Sequence, residues 1–304
     1  MSRRLYEIDA LRGIAAVSVV LFHYLTKYNH QQNIIIDFSH GGLGVNLFFM
    51  ISGFVIYMSL SNANSLKVFV QNRLIRLYPA YWSAIFITSC VLYMVGEAVD
   101  PSKLIANLSM LQYWMRVDNI DGVYWTLRVE LTFYILIATL YFFRIMGVVH
   151  RVVILWLFIQ ILIKVLMLQT GVDPTIYFTL RVLNSLFILD FSHLFIAGIM
   201  LYHIYIGKQE AKSWLVLALS CLVSYIIDSN VHFFAFLLFN IIFFMIVKNK
   251  IGILRNKFLL FFGGISYSLY LIHQVVGYKL MDFLYVYIDN SAFVIVATFG
   301  FIVL

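Results

Sequence analysis

Ten stretches of about 20 mostly apolar residues run through this 304-residue chain, and no other feature limits its fold so strongly. A helix rises about 1.5 Å per residue and the hydrocarbon core of a bilayer is about 30 Å thick, so each stretch has the length of one crossing. The windows are 8–26, 42–60, 80–96, 122–143, 152–168, 186–206, 213–229, 231–247, 258–280 and 291–304. Composition agrees: 63% of the residues are hydrophobic and 12% charged, whereas about a quarter of a soluble domain is charged. The expectation is an all-α integral membrane protein of about ten transmembrane helices, built as one transmembrane domain over residues 1–304 without a soluble domain. A secreted disulfide scaffold, a disordered chain and an ordinary cytosolic enzyme are excluded. The last window is short and ends without a basic flank, so a short or truncated final helix is expected.

The formal charge of +7 reads as a topology signal. With the N-terminus on the cytoplasmic side, 13 of the 21 basic residues fall in inner segments, among them Arg3, Arg4, Lys67, Arg73, Arg76, Arg144, Lys248 and Arg255. Lys27, Lys103, Arg116, Arg181 and Lys279 fall outside, and Arg12, Arg128 and Lys164 lie within spans. This asymmetry obeys the positive-inside rule and makes nucleic acid an unneeded explanation of the charge. Glu7, Asp9 and Arg12 interrupt the first apolar run, so it reads as a retained helix rather than a cleavable signal. The stretch 97–121 reads as amphipathic and interfacial, through Leu104, Ile105, Leu108, Leu111 and Trp114.

Ionisable residues inside a membrane are costly, at about 2.5 to 3.5 kcal/mol on insertion scales, and therefore mark candidate functional positions. The first span carries Asp9, Arg12 and His23. At about 100° per residue, Arg12 and His23 lie about 20° apart in azimuth and about 16 Å apart along one helix face. Gly13 and Ala16 beside that stripe are small enough for a neighbouring helix or a ligand to approach. The fourth span places Arg128 and Glu130 inside, and the ninth ends its apolar run at His273. His23, Glu130 and His273 then share one depth, which can supply a base, its orienting carboxylate and a second imidazole. The plainer reading has Arg12 snorkelling and the charges pairing structurally. Arg73 and Arg76, at i and i+3 before the third span, form a twin fork suited to phosphate, or anchor the cytoplasmic face. Asp190 and His193 read as a local hydrogen-bonded pair. His30, His40, His150, His203 and His232 read as interfacial or loop residues, and Cys90 and Cys221 as small packing residues. No metal-ligand spacing is present.

Taken together these blocks resemble the acyltransferase-3 family of polytopic membrane acyltransferases. The resemblance rests on Arg12 and His23 with ten residues between them and the flanking Ile8 to Ala16, the segment Gly44 to Phe54, the pair Arg73 and Arg76, the run Trp125 to Glu130 with Phe133 and Tyr134, and the run Ile265 to His273. It covers nearly the whole chain. Thr126 stands where serine is usual, and the proline common after Phe133 and Tyr134 is missing.

The resemblance implies a membrane O-acyltransferase that moves an acyl group, usually acetyl, from cytoplasmic acyl-CoA to a hydroxyl of a surface or exported saccharide. Carried over by position, His23, Arg12, Glu130 and His273 are the catalytic set, and Arg73, Arg76 and Arg12 hold acetyl-CoA. Trp125, Ser266, Tyr267 and Tyr270 are candidates for the oxyanion or the substrate. His23 either deprotonates the acceptor or carries the acyl group transiently. The expected partners are acyl-CoA, a saccharide or lipid-linked glycan acceptor and the lipid bilayer, in the cytoplasmic (inner) membrane of a bacterium. A competing expectation is a transporter or flippase of a lipid-linked saccharide, in which the ionisable layer is a substrate or proton path.

Overall fold

The computed structural model describes residues 5–28, 37–169, 173–208 and 210–304. Arg3, Arg4 and His30 lie outside these residues. Among those described there are thirteen α-helices: α1 (Tyr6–Phe22), α2 (Gly44–Ser61), α3 (Leu66–Met94), α4 (Pro101–Leu108), α5 (Trp125–Phe142), α6 (Val149–Leu168), α7 (Pro174–Leu186), α8 (Ser192–Tyr205), α9 (Glu210–Ile227), α10 (Asn230–Val247), α11 (Lys257–Ile272), α12 (Val275–Tyr285) and α13 (Ser291–Val303).

Among the described residues seven helical segments are long and apolar enough to cross a membrane, and up to nine if the bent pairs α7 with α8 and α11 with α12 each count as one span. The tenth window is α13, whose 13 residues reach only about 20 Å, short of a hydrocarbon core of about 30 Å. The third span differs from its apolar window. Helix α3 begins at Leu66 and runs through Pro79 without a break, because a polar run can be as helical as an apolar one and hydropathy detects only the lipid-facing part. The ninth span is not straight: α11 and α12 meet at 75° across His273 and Gln274. The interfacial stretch contains α4, started by Asp100, whose carboxylate accepts the N–H groups of Ser102 and Lys103 ahead of the first turn.

The chain packs into two compact units. The first comprises Met1–Val45, Asn72–Arg128 and Ile253–Leu304. Its centre is the contact of α1 with α11, where glycine faces glycine. A Cβ on Gly13 would meet the backbone N of Gly263 at 2.6 Å, and one on Gly263 would strike the carbonyl of Asp9. Sequence reading assigned Gly13 and Ala16 to close approach; Ala16 is fully buried, and the helix that approaches Gly13 is α11. The start of α1 is tied to the turn before α11 by Glu7, which is buried and bridges to Arg255 at 2.6 Å.

The second unit comprises Asn46–Gln71 and Val129–Gly252. Helix α8 is buried from Ser192 through Ile204, as an all-round apolar helix at the centre of a bundle must be. Gly53 and Gly198 let α2 and α8 meet backbone to backbone. Two polar clusters in this unit correct the sequence reading. His193 pairs with Asp228 at 3.2 Å and with Gln160 at 2.9 Å, while Asp190 accepts from Asn184. The expected Asp190–His193 pair does not form, because α8 turns the imidazole into the bundle. His150 and His203 are buried in helices rather than placed in loops: their rings lie 4.9 Å apart, and they bond to Ser213 and Tyr57. Cys90 is exposed rather than packed.

Candidate active site

The site is assembled in the first unit from α1 and the α11–α12 bend. At His23 the α-helix gives way to a π-helical turn, His23–Lys27, closed by the Tyr28 N–H donating to the His23 carbonyl at 2.8 Å. Such turns insert one extra residue and re-aim the side chains around them. Opposite, the break between α11 and α12 places His273 off the end of one helix, fully buried. The two rings meet edge to face with centroids 4.9 Å apart, and His23 Nδ1 lies 3.2 Å from His273 Nε2.

The protonation pattern follows from the backbone partners. A carbonyl oxygen only accepts, so a ring nitrogen held against one carries the proton. His23 Nδ1 is 2.9 Å from the Val19 carbonyl, and His273 Nδ1 is 2.8 Å from the Tyr270 carbonyl. Both Nδ1 atoms are therefore donors. His273 Nε2 is left with its lone pair and accepts from the shared His23 N–H. The remaining basic nitrogen is His23 Nε2, which can take a proton or attack a carbonyl. A proton on it would strengthen the bond from His23 to His273, since charge-assisted hydrogen bonds are the stronger ones. In this arrangement the group that orients His23 is an imidazole.

Several neighbours hold the pair in place. The Tyr24 hydroxyl donates to the His273 carbonyl at 2.8 Å, and the Tyr278 hydroxyl reaches the His23 carbonyl at 3.4 Å. Asp121 is buried and bridges two elements. Its Oδ1 accepts from Val123 N–H at 3.1 Å and its Oδ2 from Val275 N–H at 3.0 Å. Burial pushes its carboxyl up to about 6, with the two backbone N–H groups opposing the shift. Thr126 donates to Val123 and shares a 3.0 Å bond with the Tyr270 hydroxyl.

The other residues named from sequence take varied places. Arg12 bridges to Asp9 at 3.6 Å on its own helix. Tyr267 donates to the Leu77 carbonyl at 3.1 Å, which anchors α11 beside the α3 turn carrying Arg73, half-buried, and Arg76, exposed. Ser266 bonds within its own helix to Gly263, and Trp125 is at the exposed start of α5. Arg128 lies over the Tyr113 ring at 4.1 Å. Glu130 belongs to the second unit, where it accepts from Ser52 at 3.3 Å and Tyr134 at 2.5 Å. Sequence reading missed Tyr24, Asp121 and Tyr278. Tyr24 adjoins His23, and Asp121 precedes Gly122 as a turn-capping residue does, but neither signal points to the imidazole pair without the bend.

Comparison with known proteins decides the family. The acyltransferase-3 family, described as an acyltransferase domain, matches residues 5–304. The chain belongs to this family. It is 27% identical over 292 residues to a putative acetyltransferase, ORF330, of Acidianus two-tailed virus, covering 89% of this chain and 82% of that one. It is 25% identical over 146 residues to acyltransferase MdmB of Streptomyces mycarofaciens, covering 43% and 38% of the two chains. It is 26% identical over 206 residues to O-acetyltransferase OatA of Staphylococcus aureus strain NCTC 8325 / PS 47, covering 58% of this chain and 32% of that one. No solved structure matches. The protein is thus a multi-pass membrane acyltransferase, which sets aside the flippase expectation.

Proposed function

We propose that this acyltransferase moves an acetyl group from cytoplasmic acetyl-CoA to a hydroxyl of a surface or exported saccharide, with His23 as the base. The observation that carries this reading is the His23–His273 pair, in which the Val19 and Tyr270 carbonyls leave His23 Nε2 as the basic nitrogen. Nε2 takes the proton of the acceptor hydroxyl while its oxygen attacks the thioester carbonyl carbon. A C–O bond forms, the C–S bond breaks, and the proton passes to the thiolate to release CoA. His273 orients His23 and shares the positive charge of the intermediate state. A positioned base of this kind contributes about 10²- to 10⁴-fold in rate.

Arg73 and Arg76 hold the phosphates of CoA, since a guanidinium fork matches a phosphate and a polyanion cannot enter hydrocarbon cheaply. Arg12, on the face of α1 that leads toward His23, steadies the donor between the two places. Tyr267 positions this region through its bond to Leu77. Tyr270, Ser266 and Trp125 stand as the sequence-named candidates for the developing oxyanion, and Glu130 supports the fold of the second unit through Ser52 and Tyr134. The reading fits the cytoplasmic membrane of a bacterium, with Arg73 and Arg76 on the cytoplasmic face.

The test is steady-state kinetics of thiol release from acetyl-CoA by the purified protein. Arg73→Ala and Arg76→Ala should each raise KM for acetyl-CoA about tenfold or more and leave KM for the acceptor unchanged. An unchanged KM for acetyl-CoA in both would remove them from the donor site. Acetyl trapped on His23 without acceptor would make His23 a nucleophile instead of a base.

A further inference from the structure

The second unit contains a cavity of about 490 Å³, within the range of about 300 to 1,000 Å³ typical of small-molecule sites. The imidazole pair of the first unit makes no use of it. It lies where spans end: its wall is Leu66 at the start of α3, with Tyr141, Phe142, Arg144 and Met146 around the connection from α5 to α6. Helix α5 stops at Phe142, and Arg144 takes a left-handed φ of 58°, the conformation that commonly ends a helix. Its N–H donates to the Tyr141 carbonyl at 3.0 Å. The chain turns sharply there, so residues on both sides of the turn wall the same space.

The charge at this place is uncompensated. Arg144 is exposed, and no ion pair or side-chain hydrogen bond joins it to another described residue. The wall has no carboxylate. Neither Asp nor Glu occurs in residues 38–96 or 131–172, the two stretches that supply the wall. Lys67, next to Leu66, and Arg151, in the first turn of α6, are exposed and add charge of the same sign.

The rest of the wall is apolar or aromatic, and the Phe142 and Phe143 rings beside it are 67% and 64% exposed and meet edge to face at 5.2 Å. In a chain whose solvent is lipid, exposed rings at the end of a span face the headgroup and upper acyl region. One guanidinium in an apolar wall complements a ligand with one anionic group on a hydrocarbon body. A free phosphate would leave the apolar wall uncovered, and a nucleotide polyanion would bring more charge than one cation meets. A zwitterionic headgroup carries a cation that finds no carboxylate here. An anionic glycerophospholipid satisfies every element, with its phosphate on the guanidinium fork and its first acyl carbons against Leu66, Phe142 and Met146.

We infer that this cavity seats the headgroup of an anionic phospholipid, with Arg144 as the residue that takes its phosphate. The inference does not involve acyl transfer, and its test needs no turnover. Lipid binding to the purified, delipidated full chain in detergent is titrated by native mass spectrometry, with palmitoyl-oleoyl phosphatidylglycerol and the phosphatidylcholine of the same chains as probes. Phosphatidylglycerol should bind about tenfold more tightly or better, and Arg144→Gln should remove about that factor. Met146→Glu, which sets a carboxylate in the wall, should weaken binding comparably. Lys250→Gln removes a charge from the α10–α11 connection, outside the wall, and should change little. Equal affinity for the two lipids would overturn the inference, as would indifference to both wall variants. An effect of Lys250→Gln equal to that of Arg144→Gln would also overturn it, since it would show only general surface charge. Glycerol 3-phosphate or acetyl-CoA binding as tightly as phosphatidylglycerol, with the same dependence on Arg144, would make this a site for a soluble anion and overturn the lipid assignment.

Discussion

At the scale of single residues, the chemistry turns on which nitrogen of each imidazole holds its proton. Two backbone carbonyls make that choice, one on each helix, and the choice makes His273 a hydrogen-bond acceptor toward His23. Its role is then one of positioning, and a side chain with an acceptor at the same reach should partly replace it. His273→Ala is expected to lower kcat about 100-fold with KM for acetyl-CoA nearly unchanged, and His273→Gln to recover part of that loss; equal defects in the two variants would show that the acceptor nitrogen is not what matters. His23 and His273 were both legible in the sequence, since a histidine in an apolar run is costly and their helical depths coincide. Tyr24 was not. Its hydroxyl matters only because the chain bends at His273 and exposes that carbonyl, and no local pattern announces where a distant carbonyl will be.

At the scale of elements, the 75° break between α11 and α12 positions the site more than any helix does. Hydropathy runs straight through it, so the sequence reads one span. The break is held by side chains that take the backbone groups a continuous helix would use, Asp121 on the Val275 N–H and His273 on the Tyr270 carbonyl. The Asp121 carboxyl is pushed up to about 6 by burial, above the value of about 3.9 in an unfolded chain. The native state therefore binds this proton more tightly, and its contribution to stability is fully present below about pH 4 and is lost as the pH rises through about 6. Thermal melting of the wild type in detergent should show a decline over that window that Asp121→Asn lacks; parallel curves would contradict the assignment. The α1–α11 contact offers a second check. Gly263→Val drives a Cβ into the Asp9 carbonyl and should lower stability by about 1 to 3 kcal/mol or more, whereas Gly264→Val, with nothing within 4 Å, should be nearly neutral. The glycines were visible in the sequence as permissive positions; which of the adjacent pair faces α1 was not, because that depends on the rotation of α11.

For the whole molecule, lipid as solvent accounts for the composition, and the few polar residues left inside the helices carry the information about activity. The fold class and nearly all spans were legible because a crossing helix writes its own length in apolar residues. The division into two compact units was not, since each unit is assembled from segments far apart in the chain and contact between apolar helices leaves no periodic mark. Family membership supplies the reaction class, and the first unit supplies an imidazole pair able to run it. The most direct test is the rate of acetyl-CoA consumption by the purified, folded protein with acceptor present, wild type against His23→Ala. The account predicts at least a 100-fold loss in the variant at an unchanged melting temperature. A variant that consumes acetyl-CoA at the wild-type rate would contradict it.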